Sequence, residues 1–178
     1  MSPHSLNKSR LLVSSLALAA ILFTYSTSAL AQGLPTGWAS AGVGSPGSGG
    51  NAAVSGGTWT VSGGGTDIWG VSDQFQFVSR TLRGDGSVVA RVASVGNTSG
   101  WAKSGVMIRG DASAGAAYAD VVVTPSNSIV FQWRTSAGVS AQTVAAGGSV
   151  AAPAWVRVTR SGGSLSGRHE RLDVVALE

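Results

Sequence analysis

The chain has 178 residues with 12 Lys and Arg against 8 Asp and Glu, 26 Gly and no Cys. The lack of Cys excludes a disulfide framework and a lipidated-cysteine anchor. The basic residues are spread singly along the chain, which argues against a nucleic-acid-binding face.

Residues 1–31 read as a cleavable signal peptide. Lys8 and Arg10 give a positive start, residues 11–23 are apolar except for Ser14 and Ser15, and Ala29-Leu30-Ala31 is a small-x-small site. Cleavage is expected before Gln32. The apolar run is shorter than the ~20 residues that span a bilayer, so the expected destination is secreted or periplasmic, with no membrane attachment after cleavage. Cleavage leaves 147 residues and lowers the formal charge from +4 to +2. That length suits one domain with its own core.

Residues 33–65 are mostly Gly, Ser, Ala and Thr. Within them Thr58-Trp59-Thr60-Val61 alternates polar and apolar, and Trp38 follows a Pro-Thr-Gly turn. Two Trp residues need something to pack on, so short strands joined by turns are expected. Gly63-Gly64-Gly65 is not a phosphate loop, since no helix follows.

Residues 74–77 alternate Gln and Phe, and Gly84-Asp85-Gly86 then precedes a second apolar segment at 87–95. The two segments read as a hairpin, with Asp85 as a turn residue. More strands are expected at 105–109, 117–124, 128–134, 139–144 and 155–160. Thr124-Pro125-Ser126-Asn127, Ser136-Ala137-Gly138 and Gly147-Gly148 separate them. In the third strand of this set, Ile129, Phe131 and Trp133 would face a core while Gln132 and Arg134 face a wetter side. Phe75, Phe77, Trp133 and Trp155 are expected to be core. No helical period is sustained, and many short strands imply an all-β sandwich or jelly roll.

Few residues here can carry out catalysis. The two His residues are His4, in the leader, and His169 near the end, and no Glu lies between positions 32 and 167. Ser-His-Asp chemistry and two-carboxylate glycoside hydrolysis therefore lack their parts, and the chain is not expected to be an enzyme. Asp67 and Asp73 flank Ile68-Trp69-Gly70 and are the candidate Ca²⁺ ligands. Capping of turns through backbone amides is the simpler reading, because Ca²⁺ wants six or more oxygens. Trp69 and Trp101 sit beside Gly at loop positions, where they either stack on sugar rings or fill a core. Arg109 and Arg134 either meet a polar or anionic ligand or guard a solvated strand edge.

The order of segments is also informative. Thr66-Asp67-Ile68-Trp69-Gly70, Asp73-Gln74-Phe75-Gln76-Phe77-Val78, Leu82-Arg83-Gly84-Asp85-Gly86 and Trp101-Ala102-Lys103-Ser104-Gly105-Val106-Met107-Ile108-Arg109 follow one another. Thr124-Pro125, Phe131-Gln132-Trp133-Arg134 and Pro153-Ala154-Trp155-Val156 come next. This series resembles a bacterial family of concanavalin A-like, laminin-G-like jelly-roll domains. Its members occur in secreted proteins and are often appended to glycoside hydrolases. The resemblance covers about residues 33–167, and the run from Trp101 to Arg109 is its most specific part. It implies two antiparallel sheets and a ligand-binding or scaffolding role.

The resemblance ends at Gly167. Residues 168–178 hold five charged residues in eleven positions, against thirteen in the 136 before them. A jelly-roll domain at 32–167 followed by a divergent tail is therefore expected, the tail being a truncated or frameshifted ending that replaces the last strands. A genuine final strand or short helix is the alternative. The function expected is a secreted, non-catalytic module that binds carbohydrate or another extracellular ligand. A structural or adhesive protein-interaction module, or a fragment of a glycoside hydrolase, are the other readings.

Overall fold

The computed structural model describes residues 33–145 and 148–170. The leader with its cleavage point, Gly147 of the Gly147-Gly148 turn, and residues 171–178 of the tail lie outside the described residues. Among those described there is no helix, and the strands are β1 (Ala39–Val43), β2 (Asn51–Ser55), β3 (Thr58–Ser62), β4 (Phe75–Ser79), β5 (Gly86–Val92), β6 (Ser104–Arg109), β7 (Tyr118–Val123), β8 (Ile129–Arg134), β9 (Gln142–Ala145), β10 (Ala154–Ser161) and β11 (Ser164–Glu170). The fold is an all-β sandwich. A four-stranded sheet, β6-β7-β8-β9, faces a three-stranded one, β11-β10-β5, and two-stranded sheets β1-β4 and β2-β3 complete it. All pairings are antiparallel.

Strand alternation supplies the core. Ala119, Val121 and Val123 of β7 and Ile129 of β8 meet Ala154, Val156 and Val158 of β10 and Val92 of β5. Burying each Val or Ile contributes about 1.5–3 kcal/mol, and β-branched side chains suit the pleat. Phe131 and Trp133 pack on the same cluster with stacked rings 5.2 Å apart, so the stripe from Ile129 to Trp133 does face inward.

The opposite face of β8 departs from the expectation of a wetter side. Val130, Gln132 and Arg134 are all buried, as is every residue of β7. A second layer roofs this outer face. Ile68, Tyr118 and Ala141 form a small cluster, with Phe75 and Met107 packed against it. Period-2 patterning assigns residues to faces but does not say whether a face is covered.

The hairpin expected between residues 74–77 and 87–95 does not form. β4 pairs with β1, and β5 pairs with β10 through Gly86↔Arg160 to Val92↔Ala154. The connection between β4 and β5 is too long for a tight turn, and distant residues grip its end. Asp85 accepts from the Gly162 amide at 2.9 and 3.0 Å, and Arg160 donates to the carbonyls of Leu82 and Gly84. Asp85 thus ties the β5 entrance to the β10–β11 turn.

β11 runs across the 167/168 boundary, pairing with β10 from Ser164↔Ser161 to Glu170↔Trp155. Gly167 lies directly over the other sheet: a Cβ there would sit 2.3 Å from Phe131 Cδ2 and 2.6 Å from Val121 Cγ2. Gly167→Val is therefore expected to cost about 1–3 kcal/mol through overpacking. A urea midpoint equal to the parent's would show that β11 does not press on Phe131.

Candidate functional site

Strand register builds two polar rows across the outer face of the four-stranded sheet. Arg109, Tyr118 and Arg134 are cross-strand neighbours, and Met107, Asp120 and Gln132 form the next row. The segment from Asp67 to Asp73 folds over the first row. One end is tied by Asp73 N to Ala114 O at 2.9 Å, and its middle is held by Ala141 N to Gly70 O at 2.7 Å.

Asp73 is the centre of this clasp. Arg134 grips it with two prongs, Nη2 to Oδ1 at 2.7 Å and Nη1 to Oδ2 at 2.9 Å, while Arg109 Nη1 reaches Oδ2 at 2.9 Å. All three side chains are at most 1% exposed. Arg134 also donates to the carbonyls of Gly70, Ala116 and Val139, each at 3.0 Å. Arg109 donates to Asp111 O at 2.8 Å and to Ser113 O. Both guanidiniums lie against the Tyr118 ring, at 5.0 and 5.7 Å from its centroid. Hydrogen bonding to Asp73 raises the Arg134 pKa further, so it stays charged. Neither Arg109 nor Arg134 guards a solvated edge. Both are spent on an internal ion pair, because the 67–73 segment covers the end of the sheet they stand on.

The clasp positions the exposed part of the same segment. Asp67 Oδ1 accepts from its neighbour Ile68 N at 2.7 Å and from Lys103 Nζ at 2.5 Å. Lys103 Nζ also donates to Ile68 O at 2.9 Å and lies 5.9 Å from the Trp69 ring centroid. The Asp67 side chain remains 42% exposed. Trp69 is 40% exposed, and Trp101, two residues before Lys103, is 49% exposed. The Trp101 loop is pinned from behind, with Gly100 O accepting from Ser126 N and Asn127 Nδ2.

Asp67 and Asp73 therefore serve different partners. Asp67 caps its turn and orients Lys103, whereas Asp73 sits in the buried clasp. No group of three or more His, Asp or Glu residues placed to hold a metal ion occurs among the described residues.

Asp120 differs from Asp67, Asp73 and Asp85, which stand at turns or in loops. It lies in mid-β7, fully buried, and neither carboxylate oxygen has a hydrogen-bond partner among the described residues. Gln132 Oε1 beside it and Tyr118 Oη are likewise unpartnered. Burial pushes the Asp120 carboxyl well above the usual carboxylate range, against the pull of Lys103. Burial also pushes the Tyr118 hydroxyl up, helped by the charges of Asp120 and Asp73. One signal was available in the sequence: a lone carboxylate within Tyr118-Ala119-Asp120-Val121-Val122-Val123.

Compared with known protein families, curated proteins and solved structures, the chain finds no match.

Proposed function

We propose that the chain is a secreted, non-catalytic module of the concanavalin A-like jelly-roll kind that binds carbohydrate at Trp69 and Trp101. The observation that carries the reading is the exposure of these two indoles, at 40% and 49%, on loops held down from behind. Sugar rings stack their C–H faces on exposed indoles, and polar groups at the edge fix orientation. Asp67 supplies such a group beside Trp69, a half-exposed acceptor oriented by Lys103 and the Ile68 amide. The leader pattern of residues 1–31 supports export, and the series from Thr66 to Val156 supports the jelly-roll assignment. Non-catalytic action fits the carboxylate partners: Asp73 is filled by two guanidiniums and Asp67 is tied to an ammonium.

The test is a glycan array followed by titration of residues 32–178. Trp69→Ala and Trp101→Ala should each weaken binding about fivefold, the equivalent of roughly 1 kcal/mol per stacking contact, with melting temperature unchanged. Absence of any glycan signal would overturn the reading, as would a sharp fall in melting temperature in both variants. A second reading, a protein-docking surface, is favoured by Val71 and Val139, exposed at 52% and 39% on the same segment and on the 136–141 turn that touches it. It predicts that Val71→Ser weakens partner binding while leaving saccharide titrations untouched.

A further inference from the structure

A second aromatic surface lies on other strands. Trp38 and Trp59 meet with ring centroids 4.8 Å apart and planes tilted by 56°, and the Arg80 guanidinium lies 5.7 Å from the Trp38 centroid. Trp59 is 39% exposed, Val61 on the same face 48%, and every residue of β3 is exposed. The β2–β3 hairpin therefore stands out from the body, with β3 exposed along its length apart from the contact of Trp38 on Trp59. Its base is firmly seated, since a Cβ on Gly63 would lie 2.3 Å from Gln76 Cβ. Gln76 in turn donates to Ser40 Oγ at 2.7 Å.

Charge on this side of the molecule is sparse. β1, β2, β3 and β4 contain no Asp, Glu, Lys or Arg, and Arg80 directly follows β4. Arg80 is exposed and makes no ion pair among the described residues. On the Trp59 face the hairpin carries Val61, Val54 and Ala52, while Thr58, Thr60 and Asn51 lie on its opposite face.

We propose that Trp38, Trp59 and Arg80 form a second saccharide platform, one that takes a sugar ring bearing a carboxylate or sulfate group. The tilted indole pair gives an edge and a face against which a ring can stack. The guanidinium offers a planar fork that matches a carboxylate or sulfate. No carboxylate on the four strands opposes an anion there, and the exposed Arg80, which makes no ion pair among the described residues, gives the aromatic pair a cationic edge that an anionic sugar ring matches better than an apolar peptide does. This platform is independent of the Trp69 and Trp101 surface.

Affinity electrophoresis of residues 32–178 through gels holding dextran sulfate, polygalacturonate or neutral dextran tests the idea. Retention is expected in an anionic gel and not in dextran. It should weaken about fivefold in Trp59→Ala and in Arg80→Gln, the loss of one stacking or charge contact, and stay unchanged in Trp69→Ala. Because Arg80 is exposed, Arg80→Gln keeps the fold, and an unchanged melting temperature checks this. Three results would overturn the proposal: no retention in either anionic gel, equal retention in dextran, or an Arg91→Gln control that weakens retention as much as Arg80→Gln. The last would mean general charge attraction only. The Trp69→Ala arm reads the other surface: unchanged retention there supports a separate platform, whether or not Trp69 binds neutral glycans, and a loss equal to that of Trp59→Ala would overturn it as well.

Discussion

Replacing Asp73 by Ala is expected to destabilise the protein by about 3–5 kcal/mol, the usual loss when one partner of a buried ion pair is removed. Two guanidiniums would be left without an anion at the dry end of the four-stranded sheet. Their remaining bonds to carbonyls of Gly70, Ala116, Val139, Asp111 and Ser113 stabilise them only in part. The 67–73 segment would lose its anchor, and Ile68 would lift from Tyr118 and Ala141. With a urea slope of about 1–3 kcal/mol per molar, the midpoint should fall by on the order of 2 M. The partner experiment is Asp73→Ala combined with Arg134→Met. Removing one of the two unpaired guanidiniums should recover part of the loss, while Arg109 remains without its anion. A single-variant loss below about 1 kcal/mol would show that water reaches the clasp and screens it.

The second large effect has the opposite sign. Asp120→Asn should stabilise the protein at neutral and alkaline pH. An ionised Asp120 is buried with neither oxygen in a well-formed hydrogen bond, the Gln132 backbone amide giving it only a weak interaction, and it stands opposite Gln132 Oε1, which also lacks a donor. An amide at position 120 can donate to that oxygen and carries no charge. The sign of the pH dependence follows from burial raising the Asp120 pKa in the folded state. Between the ordinary carboxylate value near pH 4 and the raised folded value, the folded chain holds a proton that the unfolded chain has lost. Stability from this group is complete below that window and is lost as pH rises through it, by about 1.4 kcal/mol per pH unit. Lys103, the Gln132 backbone amide and Arg109 oppose the shift, while Asp73 reinforces it. Urea midpoints from pH 4 to pH 9 should therefore diverge between parent and Asp120→Asn as pH rises, then run parallel. Parallel lines throughout would mean that Asp120 ionises as freely as in the unfolded chain.

The candidate surface was partly legible before folding was considered. Trp69 and Trp101 stood out because Gly neighbours put them on loops, yet a packed role was equally consistent with that setting. Exposure depends on what lies across from a loop, and here Lys103 and the clasp hold the segment from below. Asp67 and Asp73 looked like a pair because they are six positions apart. The chain reverses between them at Gly70, sending one carboxylate outward and the other into the sheet. Trp38 and Trp59 lie 21 positions apart and meet only because β1 and the β2–β3 hairpin come together.

Alternation of small polar and β-branched or aromatic residues determined that the chain is all-β, where most strands run and which stripe of β8 faces the sandwich core. Those are local properties, set by the pleat and by side-chain shape within a few residues. Tertiary structure alone decided that β5 joins β10, whose residues lie more than 60 positions away, instead of closing a hairpin on β4. It also decided that the outer face of β7 and β8 is roofed, which turns Arg109 and Arg134 into buried partners of Asp73 and shuts Asp120 away from water. Pairing and cover arise from segments distant in the chain. Their free energy depends on what else is packed at the same place, and no pattern within a single strand records that.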